Sequence, residues 1–291
     1  MLKLASNLDG RIIAEMTELT LGQLGETLKE RFGENLELYT PQAYVSDAIQ
    51  ETDLTTFSGP AGAGKNYLAA RSGVPEVLKE STRALRANEV QGVSYNSRCG
   101  ELDVVREEIL NRSWLQVKFG PNKKDVYGSK PDGYPKGSAV VDTIAQQALE
   151  YRDNHEDGLM PFKSLRGIYV ISPDFSTLVD RLDGRPDIDG RKMDSTEKTK
   201  RFKEAYDSLE IGLSDSWFEC VVNEDEGKTA LEMIKKVIDR QDRDERLNRI
   251  ARNAMYAIRL EIARQIGLPT SFGVYSSRKY RQNLIANSAS D

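Results

Sequence analysis

Hydrophobic residues recur at helical spacing in three segments near the two ends of the chain. The first segment covers residues 19 to 32 and stops at Gly33, a residue type that commonly ends a helix. The other two are KTALEMIKKVIDR and LNRIARNAMYAIRLEIARQIG, the latter ending at Gly267 and Pro269. The apolar positions are Leu19, Leu21, Leu24, Leu28 and Phe32, then Leu231, Ile234, Val237 and Ile238, then Ile250, Met255, Ile258 and Ile262. We expect three amphipathic helices, each with its apolar positions on one face.

The middle of the chain has a different pattern, in which short apolar runs alternate with polar stretches and with Gly or Pro. The runs are LTTFSG, WLQVKF, SAVVDTIA, GIYVIS and WFECVVN. Their length and their content of β-branched and aromatic residues predict strands, and the polar helical stretches between several of them predict βαβ units. The pattern therefore predicts an α/β fold with a mostly parallel sheet flanked by helices.

Composition excludes several kinds of chemistry. The 291 residues include 41 basic and 46 acidic ones, a net charge of −5, which argues against binding to nucleic acid through bulk charge. His155 is the single histidine, and Cys99 and Cys220 are the two cysteines, so a His-based catalytic triad and a zinc site are nearly excluded. The first residues lack the apolar run of a signal peptide, and no stretch reaches the roughly 20 apolar residues of a membrane span. We expect a soluble cytoplasmic protein whose thiols stay reduced.

The strongest local motif is SGPAGAGKN, which matches GxxxxGK between a short strand and a predicted helix. Its glycines, Gly59, Gly62 and Gly64, allow backbone N–H groups to approach a phosphate, and Lys65 can reach the terminal phosphates of a nucleotide. Asn66 stands where Ser or Thr normally binds Mg²⁺, and its carboxamide oxygen is a different ligand. The alternative interpretation is an ordinary glycine-rich turn.

The segments that follow this loop resemble the guanylate kinase family. STRALRANEVQGVSY is similar to the family's monophosphate-binding segment, and VYGS is similar to the stretch that holds its second phosphate-contacting tyrosine. The matching positions of the first segment are Ser81, Thr82, Arg83, Arg86, Glu89, Gly92 and Tyr95. The resemblance implies that the acceptor is bound by Ser81, Arg83, Arg86, Glu89, Tyr95, Tyr127 and Ser129. Two arginines three positions apart can converge on one phosphate, and a tyrosine hydroxyl can complete the contact.

The resemblance continues to about residue 240. VISPDFSTLVDRLDGR and TEKTKRFKEAYDSLE are similar to the segments that enter and leave the family's lid, which implies that Arg181, Arg185 and Arg201 act with Lys65 on the transferring phosphoryl group. For each arginine taken singly, the alternative is a solvent-exposed charge on a helix with no role in catalysis. WFECVVNED is similar to the last strand and implies that Asn223 lies near the adenine or the base of the lid. The implied ATP-binding residues are Gly59, Pro60, Ala61, Gly62, Ala63, Gly64, Lys65, Asn66, Tyr67 and Asn223.

The chain departs from the family where the guanine base is read. WLQVKFG offers only Trp114 or Gln116 in place of a base-reading glutamate, and VVDTIAQQA keeps Asp142 but has Ile144 in the second acidic position. Guanine presents N1–H and N2–H₂ donors, so a pocket without two carboxylates should bind it less tightly or select another base. Asp142 either orients Mg²⁺ or caps the next helix, and the residues leave this choice open.

The resemblance implies a P-loop NTPase fold with monophosphate-binding and lid insertions. We expect an N-terminal extension at 1–52, a guanylate kinase-like domain at 53–240 and a C-terminal helical extension and tail at 241–291. The implied activity is phosphoryl transfer from ATP to a nucleoside monophosphate, GMP foremost, with Mg²⁺ bound by Asn66 and Asp142. Two alternatives stay open: a kinase of a sugar phosphate such as ribose bisphosphate, and a binding scaffold without turnover. We expect no nucleic acid or membrane partner, whereas the extensions leave room for a protein partner.

Overall fold

The structure is a computed structural model that describes residues 19–33, 36, 39–85, 89–93, 95–120, 125–184, 193–224, 227–240 and 244–270. The helices in this part of the chain are α1 (Leu21–Phe32), α2 (Ala43–Asp47), α3 (Lys65–Arg71), α4 (Leu102–Leu110), α5 (Ala145–Glu156), α6 (Phe175–Asp183), α7 (Ser195–Ser214), α8 (Lys228–Ile238) and α9 (Glu245–Ile266). The strands are β1 (Thr52–Ser58), β2 (Lys79–Ser81), β3 (Asn96–Ser97), β4 (Gln116–Phe119), β5 (Val126–Ser129), β6 (Gly137–Asp142), β7 (Ser164–Ile171) and β8 (Phe218–Val222). The chain forms two compact units. The smaller unit comprises Met1–Ala48 and Leu78–Gly133, and the larger unit comprises Ile49–Val77 and Tyr134–Asp291.

The larger unit is built on a four-stranded parallel sheet in the order β6-β1-β7-β8. Most residues of its strands are buried because helices cover both faces. On one face Phe57 and Val170 pack against α3 and α8, and on the other Tyr169 and Phe218 pack against α5, α6, α7 and α9. The predicted α/β fold with a parallel sheet flanked by helices is confirmed.

The smaller unit contains a second sheet, in the order β3-β2-β5-β4, in which β5 is antiparallel to both β2 and β4. The run WLQVKF was expected to be a strand of a mostly parallel sheet: Gln116–Phe119 does form a strand, but it pairs antiparallel with Val126–Ser129 in this second sheet. One face of this sheet packs on α1 and α4, through Val117 and Val126 among others. The predicted N-terminal helix is confirmed as α1, and its residues Leu24, Leu28 and Phe32 lie in this core.

Helix α9 covers the edge strand β8. Its side chains Met255, Ile258 and Ile262 lie in the core of the larger unit, as the sequence pattern predicts, whereas Ile250 is 45% exposed. The assignment of Ile250 to the apolar face was wrong because the buried face passes through Ala251, about 100° further round the helix. No helix in the described ranges is both long and apolar enough to cross a membrane. The tail predicted after the C-terminal helix lies outside the described residues.

We expect Asn248→Ala to lower the free energy of unfolding by about 1–3 kcal/mol. The Asn248 side chain is buried, and its Oδ1 accepts a 2.9 Å hydrogen bond from the backbone N–H of Cys220 in β8. Truncation leaves that buried N–H without an acceptor. Urea unfolding followed by circular dichroism measures the change, and the exposed Asn253 of the same helix supplies the control Asn253→Ala. Equal destabilisation by the two substitutions would contradict the proposed role of Asn248 in holding the strand edge.

Candidate functional site

The loop between β1 and α3 has a backbone conformation that depends on glycine. Gly59, Gly62 and Gly64 have φ values of 136°, 86° and 89°, a region that L side chains rarely adopt. A Cβ atom on Gly59 would lie 2.1 Å from the carbonyl oxygen of Val170, and one on Gly64 would lie 2.1 Å from Nδ2 of Asn223. The loop therefore packs tightly against the carboxyl ends of β7 and β8, and glycine-rich backbone of this kind forms anion-binding nests.

Lys65 is the first residue of α3, and its ammonium group lies over this loop. Its Nζ donates hydrogen bonds to the carbonyl oxygens of Gly59, at 2.9 Å, and Pro60, at 3.1 Å. The side chain is partly buried, so the positive charge is held at the loop and not in bulk solvent. This is the position from which a lysine can neutralise phosphate oxygens bound by the loop amides.

Asn223 fastens the loop to the end of β8. The residue is buried, its backbone N–H donates to the carbonyl oxygen of Ile171 at 2.7 Å, and its Nδ2 donates to that of Ala63 at 2.8 Å. Its own carbonyl oxygen accepts a 3.2 Å hydrogen bond from Nη2 of Arg181. The structure thus brings Arg181 and Asn223 together with the loop, and Asn223 supports the loop backbone directly.

The sequence predicts that this loop binds ATP, and on that prediction we expect Gly64→Ala to weaken ATP binding by at least about tenfold, because the new Cβ would displace Asn223 and break its bond to Ala63. The left-handed backbone adds a conformational cost of about 1–2 kcal/mol. Gly73→Ala is the matched control: Gly73 has a φ of 78° in the same unit, but a Cβ there meets nothing within 4 Å. Titration calorimetry with ATP measures the affinity. Equal loss of ATP affinity in both variants would show that backbone strain alone, and not the Asn223 contact, determines the effect.

Two residues offer oxygen ligands near the loop. Asp142 is the last residue of β6. In the parallel ladder it pairs with Phe57 of β1, which lies two residues before Gly59, the first glycine of the loop. Asn66 lies exposed in the first turn of α3. No group of three or more acidic, His or Cys side chains within the described ranges forms a protein-only metal cage. The carboxylate of Asp142 and the carboxamide oxygen of Asn66 fit Mg²⁺, which proteins usually hold through one or two carboxylates together with substrate phosphates.

The remaining lid arginines differ from Arg181. Arg201 lies on the surface of α7, where it pairs with Glu197 at 2.9 Å and with Glu204 at 3.0 Å on the same helix. These are i,i+4 and i,i+3 contacts of the kind that stabilise a solvated helix, so the role of Arg201 in phosphoryl transfer stays a prediction. Arg185 lies outside the described residues.

Tyr67, a predicted ATP-binding residue, is 40% exposed, and the guanidinium of Arg71 lies 3.8 Å from the centre of its ring.

The predicted acceptor residues lie on one face of the sheet in the smaller unit. Directly opposed residues of neighbouring strands point to the same face, and side chains along a strand alternate between faces. The register opposes Ser81 to Tyr127 and Lys79 to Ser129 across β2 and β5. Tyr95 lies on this side too, with its ring centre 6.3 Å from that of Tyr127 and 5.1 Å from Nζ of Lys79. We call this surface the polar face.

Arg83 lies at one end of the polar face, 5.0 Å from the ring centre of Tyr95 and 5.9 Å from that of Tyr127. Its Nη1 and Nη2 donate to the two carboxylate oxygens of Glu89, at 2.7 and 2.6 Å. This bidentate contact raises the pKa of Arg83 above its ordinary value. Nε of Arg83 is buried and has no hydrogen-bond partner among the described residues. Arg86, the second predicted arginine, lies outside those residues.

Burial raises the pKa of Tyr127 above its ordinary value. The phenol therefore keeps its proton at neutral pH and can donate a hydrogen bond to a phosphate oxygen. The predicted residues Ser81, Arg83, Glu89, Tyr95, Tyr127 and Ser129 are thus gathered in one unit.

Sequence reasoning left two residues of the polar face unassigned, Lys79 and Lys118. Lys118 lies directly opposite Tyr127, and Gln116 lies directly opposite Ser129. Lys118 and Gln116 therefore both point to the polar face. Trp114, the other candidate for base reading, is buried in the apolar core of the unit, where a Cβ on Gly128 would lie 2.4 Å from its ring. The sequence signal for these residues is the alternation of polar and apolar side chains in QVKF. It shows which face of the sheet Gln116 and Lys118 occupy only once the register of β4 with β5 is known.

The chain matches no protein-family model and no curated protein. Among solved structures it is similar to the crystal structure of guanylate kinase from Anaplasma phagocytophilum, with 16% sequence identity and a TM-score of 0.40. The similarity covers 72% of this chain and 90% of that chain. Sequence identity this low does not assign an activity, so any conclusion about function depends on the loop of the larger unit and the polar face of the smaller one.

Proposed function

We propose that the chain is a nucleotide kinase that transfers the terminal phosphoryl group of ATP to a nucleoside monophosphate. The observation that carries the proposal is the loop at 59–65, with glycine-dependent turns, the Lys65 ammonium over its carbonyls, and Asn223 fastening it to the sheet. Phosphoryl transfer asks little covalent chemistry of a protein, so the near absence of histidine and cysteine is compatible with it.

In the larger unit, the loop amides bind the phosphates of ATP and Lys65 neutralises the charge that develops on the transferring group. Arg181, held beside the loop by the carbonyl oxygen of Asn223, adds a second positive charge. Asp142 and Asn66 are the residues that would hold Mg²⁺ or its water ligands, and the bound ion supplies charge neutralisation between phosphate oxygens. Asp142 is suited to this role because it ends the strand next to the one that leads into the loop.

In the smaller unit, the acceptor phosphate binds at Arg83, Tyr95 and Tyr127. Glu89 accepts two hydrogen bonds from Arg83 and fixes the plane of its guanidinium beside the rings of Tyr95 and Tyr127, where it adds positive charge for a phosphate. No general base is required, since a phosphate acceptor oxygen is already ionised near neutral pH. GMP is the acceptor that the resemblance to guanylate kinases implies.

The proposal is tested by ADP release in a coupled assay with ATP, Mg²⁺ and each common nucleoside monophosphate in turn. We expect ADP release that depends on one acceptor or a small group of them, and that the Lys65→Ala variant loses. ADP release that no acceptor stimulates above the Lys65→Ala background would refute the kinase proposal. Titration calorimetry with ATP·Mg and with the monophosphates then distinguishes a scaffold that binds nucleotides from a chain that binds none.

A further inference from the structure

We infer that Asn96 and Glu80 are positioning residues that preorganise residues 81–97, the acceptor segment, from the side of the sheet opposite the polar face. This inference rests on the proposed kinase function and adds to it two residues that act through the phosphate ligands of the segment. It is carried by a chain of side-chain hydrogen bonds from Gln91 through Asn96 and Glu80 to the buried guanidinium of Arg98, which we call the relay.

The two ends of the acceptor segment are joined at its base. Strands β2 and β3 pair in parallel there, with Glu80 beside Asn96 and Ser81 beside Ser97. The hydroxyl of Ser97 donates a 2.9 Å hydrogen bond to the carbonyl oxygen of Arg83, so the start of the segment is tied to its end. The proposed phosphate ligands at both ends of the segment therefore depend on the geometry of this base.

Asn96 uses both ends of its carboxamide in the relay. Its Nδ2 donates to the two carboxylate oxygens of Glu80, at 2.8 and 3.1 Å. Its Oδ1 accepts a 2.8 Å hydrogen bond from Nε2 of Gln91, and Oε1 of Gln91 in turn accepts from the backbone N–H of Ser97 at 2.8 Å. A carboxamide has one donor end and one acceptor end, so these contacts fix Asn96 in a single orientation. Asn96 thereby connects the turn at Gln91 to strand β2.

Glu80 anchors the relay in a buried group of charges. It is 4% exposed and lies between Lys79 and Ser81 in β2, so its side chain points away from the polar face. Its Oε2 accepts a 3.3 Å hydrogen bond from Nη1 of Arg98, and the same Nη1 pairs with Glu108 of α4 at 3.1 Å. A buried charge that loses its partner is costly, so these groups hold one another in place. The relay therefore fixes the acceptor segment to the body of the smaller unit.

The expected consequence of the relay concerns the acceptor alone. A preorganised segment spares the acceptor the entropic cost of ordering the side chains that bind it. Without the relay, Arg83 and Tyr95 would be ordered only on binding, and a displacement of about 1 Å is enough to weaken a site markedly. The ATP loop lies between β1 and α3 of the larger unit, so the relay should not affect it. A relay that only stabilised the fold would change the free energy of unfolding but not the KM of the folded chain.

The test exchanges the functional groups of Asn96 and Glu80 in the full chain. Asn96→Asp sets a carboxylate against Glu80 and should raise the KM for the acceptor about tenfold, with the KM for ATP unchanged. The double variant Asn96→Asp with Glu80→Gln returns a donor and an acceptor to the pair at the same net charge, and should bring the KM for the acceptor back toward wild type. Asn96→Ala breaks the relay without adding a charge, and it should raise the KM for the acceptor if Asn96→Asp does not fold. Gln42→Ala is the control, because it removes a side-chain hydrogen bond to the carbonyl oxygen of Asn111 in the same unit and should change neither KM.

The outcomes separate this inference from the kinase proposal. An unchanged KM for the acceptor in a folded Asn96 variant, or a double variant with a KM as high as that of Asn96→Asp, overturns the inference and leaves the kinase proposal intact. If the wild-type chain phosphorylates no monophosphate, the kinase proposal fails, and hydrogen exchange followed by mass spectrometry tests the relay by itself. Amides of the acceptor segment should then exchange faster in Asn96→Asp and return to the wild-type rate in the double variant. Equal exchange in wild type and Asn96→Asp overturns the inference.

Discussion

Replacing Lys65 by alanine is expected to lower kcat by about 100- to 1,000-fold, the range seen when one preorganised electrostatic contact to a transition state is removed. The Nζ atom lies within 3.1 Å of two loop carbonyls, so the charge is already in place before a nucleotide binds. The substitution removes the positive charge of Lys65 that would stabilise the negative charge developing on the transferring phosphoryl group. Steady-state ADP release at saturating ATP measures the effect.

The matched control for Lys65→Ala is Lys236→Ala, an exposed lysine on α8 of the same unit. It should leave kcat unchanged, and both variants should keep the wild-type circular dichroism spectrum. A Lys65→Ala variant with kcat within threefold of wild type would contradict the assignment of Lys65 to the transferring phosphoryl group.

Replacing Arg83 by glutamine is expected to raise the KM for the acceptor by about 100-fold or more, with a much smaller change in the KM for ATP. Two charge-assisted hydrogen bonds to a phosphate are worth about 1.5–3 kcal/mol each. Arg83 lies beside the rings of Tyr95 and Tyr127, and Glu89 holds its Nη1 and Nη2 atoms in place. Kinetics with each substrate varied separately distinguish the two effects.

Removing Arg83 alone also leaves the carboxylate of Glu89, whose side chain is only 11% exposed, without its partner. Loss of one member of a buried ion pair can cost about 3–5 kcal/mol, so the single variant can lose activity by unfolding. The double variant Arg83→Gln with Glu89→Gln removes both charges and should fold while keeping the high KM for the acceptor. Arg106→Ala, on α4 of the same unit, is the control for a general loss of positive charge. A normal KM for the acceptor in the folded double variant would contradict the assignment.

Local patterns in the sequence predicted the elements that form the larger unit. The apolar run before Gly59 predicted β1, and the helical spacing after residue 228 predicted α8 and α9. These predictions succeed because short runs rich in β-branched and aromatic residues favour strands, and an amphipathic helix repeats its apolar positions. The glycine spacing of the loop was likewise readable, because φ values near 90° at Gly62 and Gly64 require that residue.

What the sequence did not reveal depends on pairing between distant segments. The four residues QVKF are compatible with a strand in either sheet. Only their register with Val126–Ser129 shows that Gln116 and Lys118 belong to the polar face. The contact of His155 is likewise non-local: it lies in the last turn of α5, and its Nδ1 is 3.2 Å from the carbonyl oxygen of Met160 beyond the end of the helix. The ion pairs of Arg201 were visible in the sequence as Glu197 and Glu204 at helical spacing, and they favour a surface role.

The division of the chain into three domains stays a prediction. In the structure α1 contributes to the core of the smaller unit and α9 to that of the larger one, so both terminal helices have a packing role. The buried Arg259 of α9 donates to the hydroxyl of Tyr206 at 2.7 Å and pairs with Glu210, both on α7. The terminal helices therefore belong to the folded body of each unit.

The most direct test of the kinase proposal is a single-turnover experiment with ATP labelled at the γ-phosphate, excess protein, Mg²⁺ and an acceptor monophosphate. The proposal predicts that the label appears in the acceptor's diphosphate, and that Lys65→Ala and the Arg83→Gln, Glu89→Gln double variant each slow its appearance. Label that is released only as inorganic phosphate, or that stays in ATP with every acceptor, would contradict phosphoryl transfer between nucleotides by this chain.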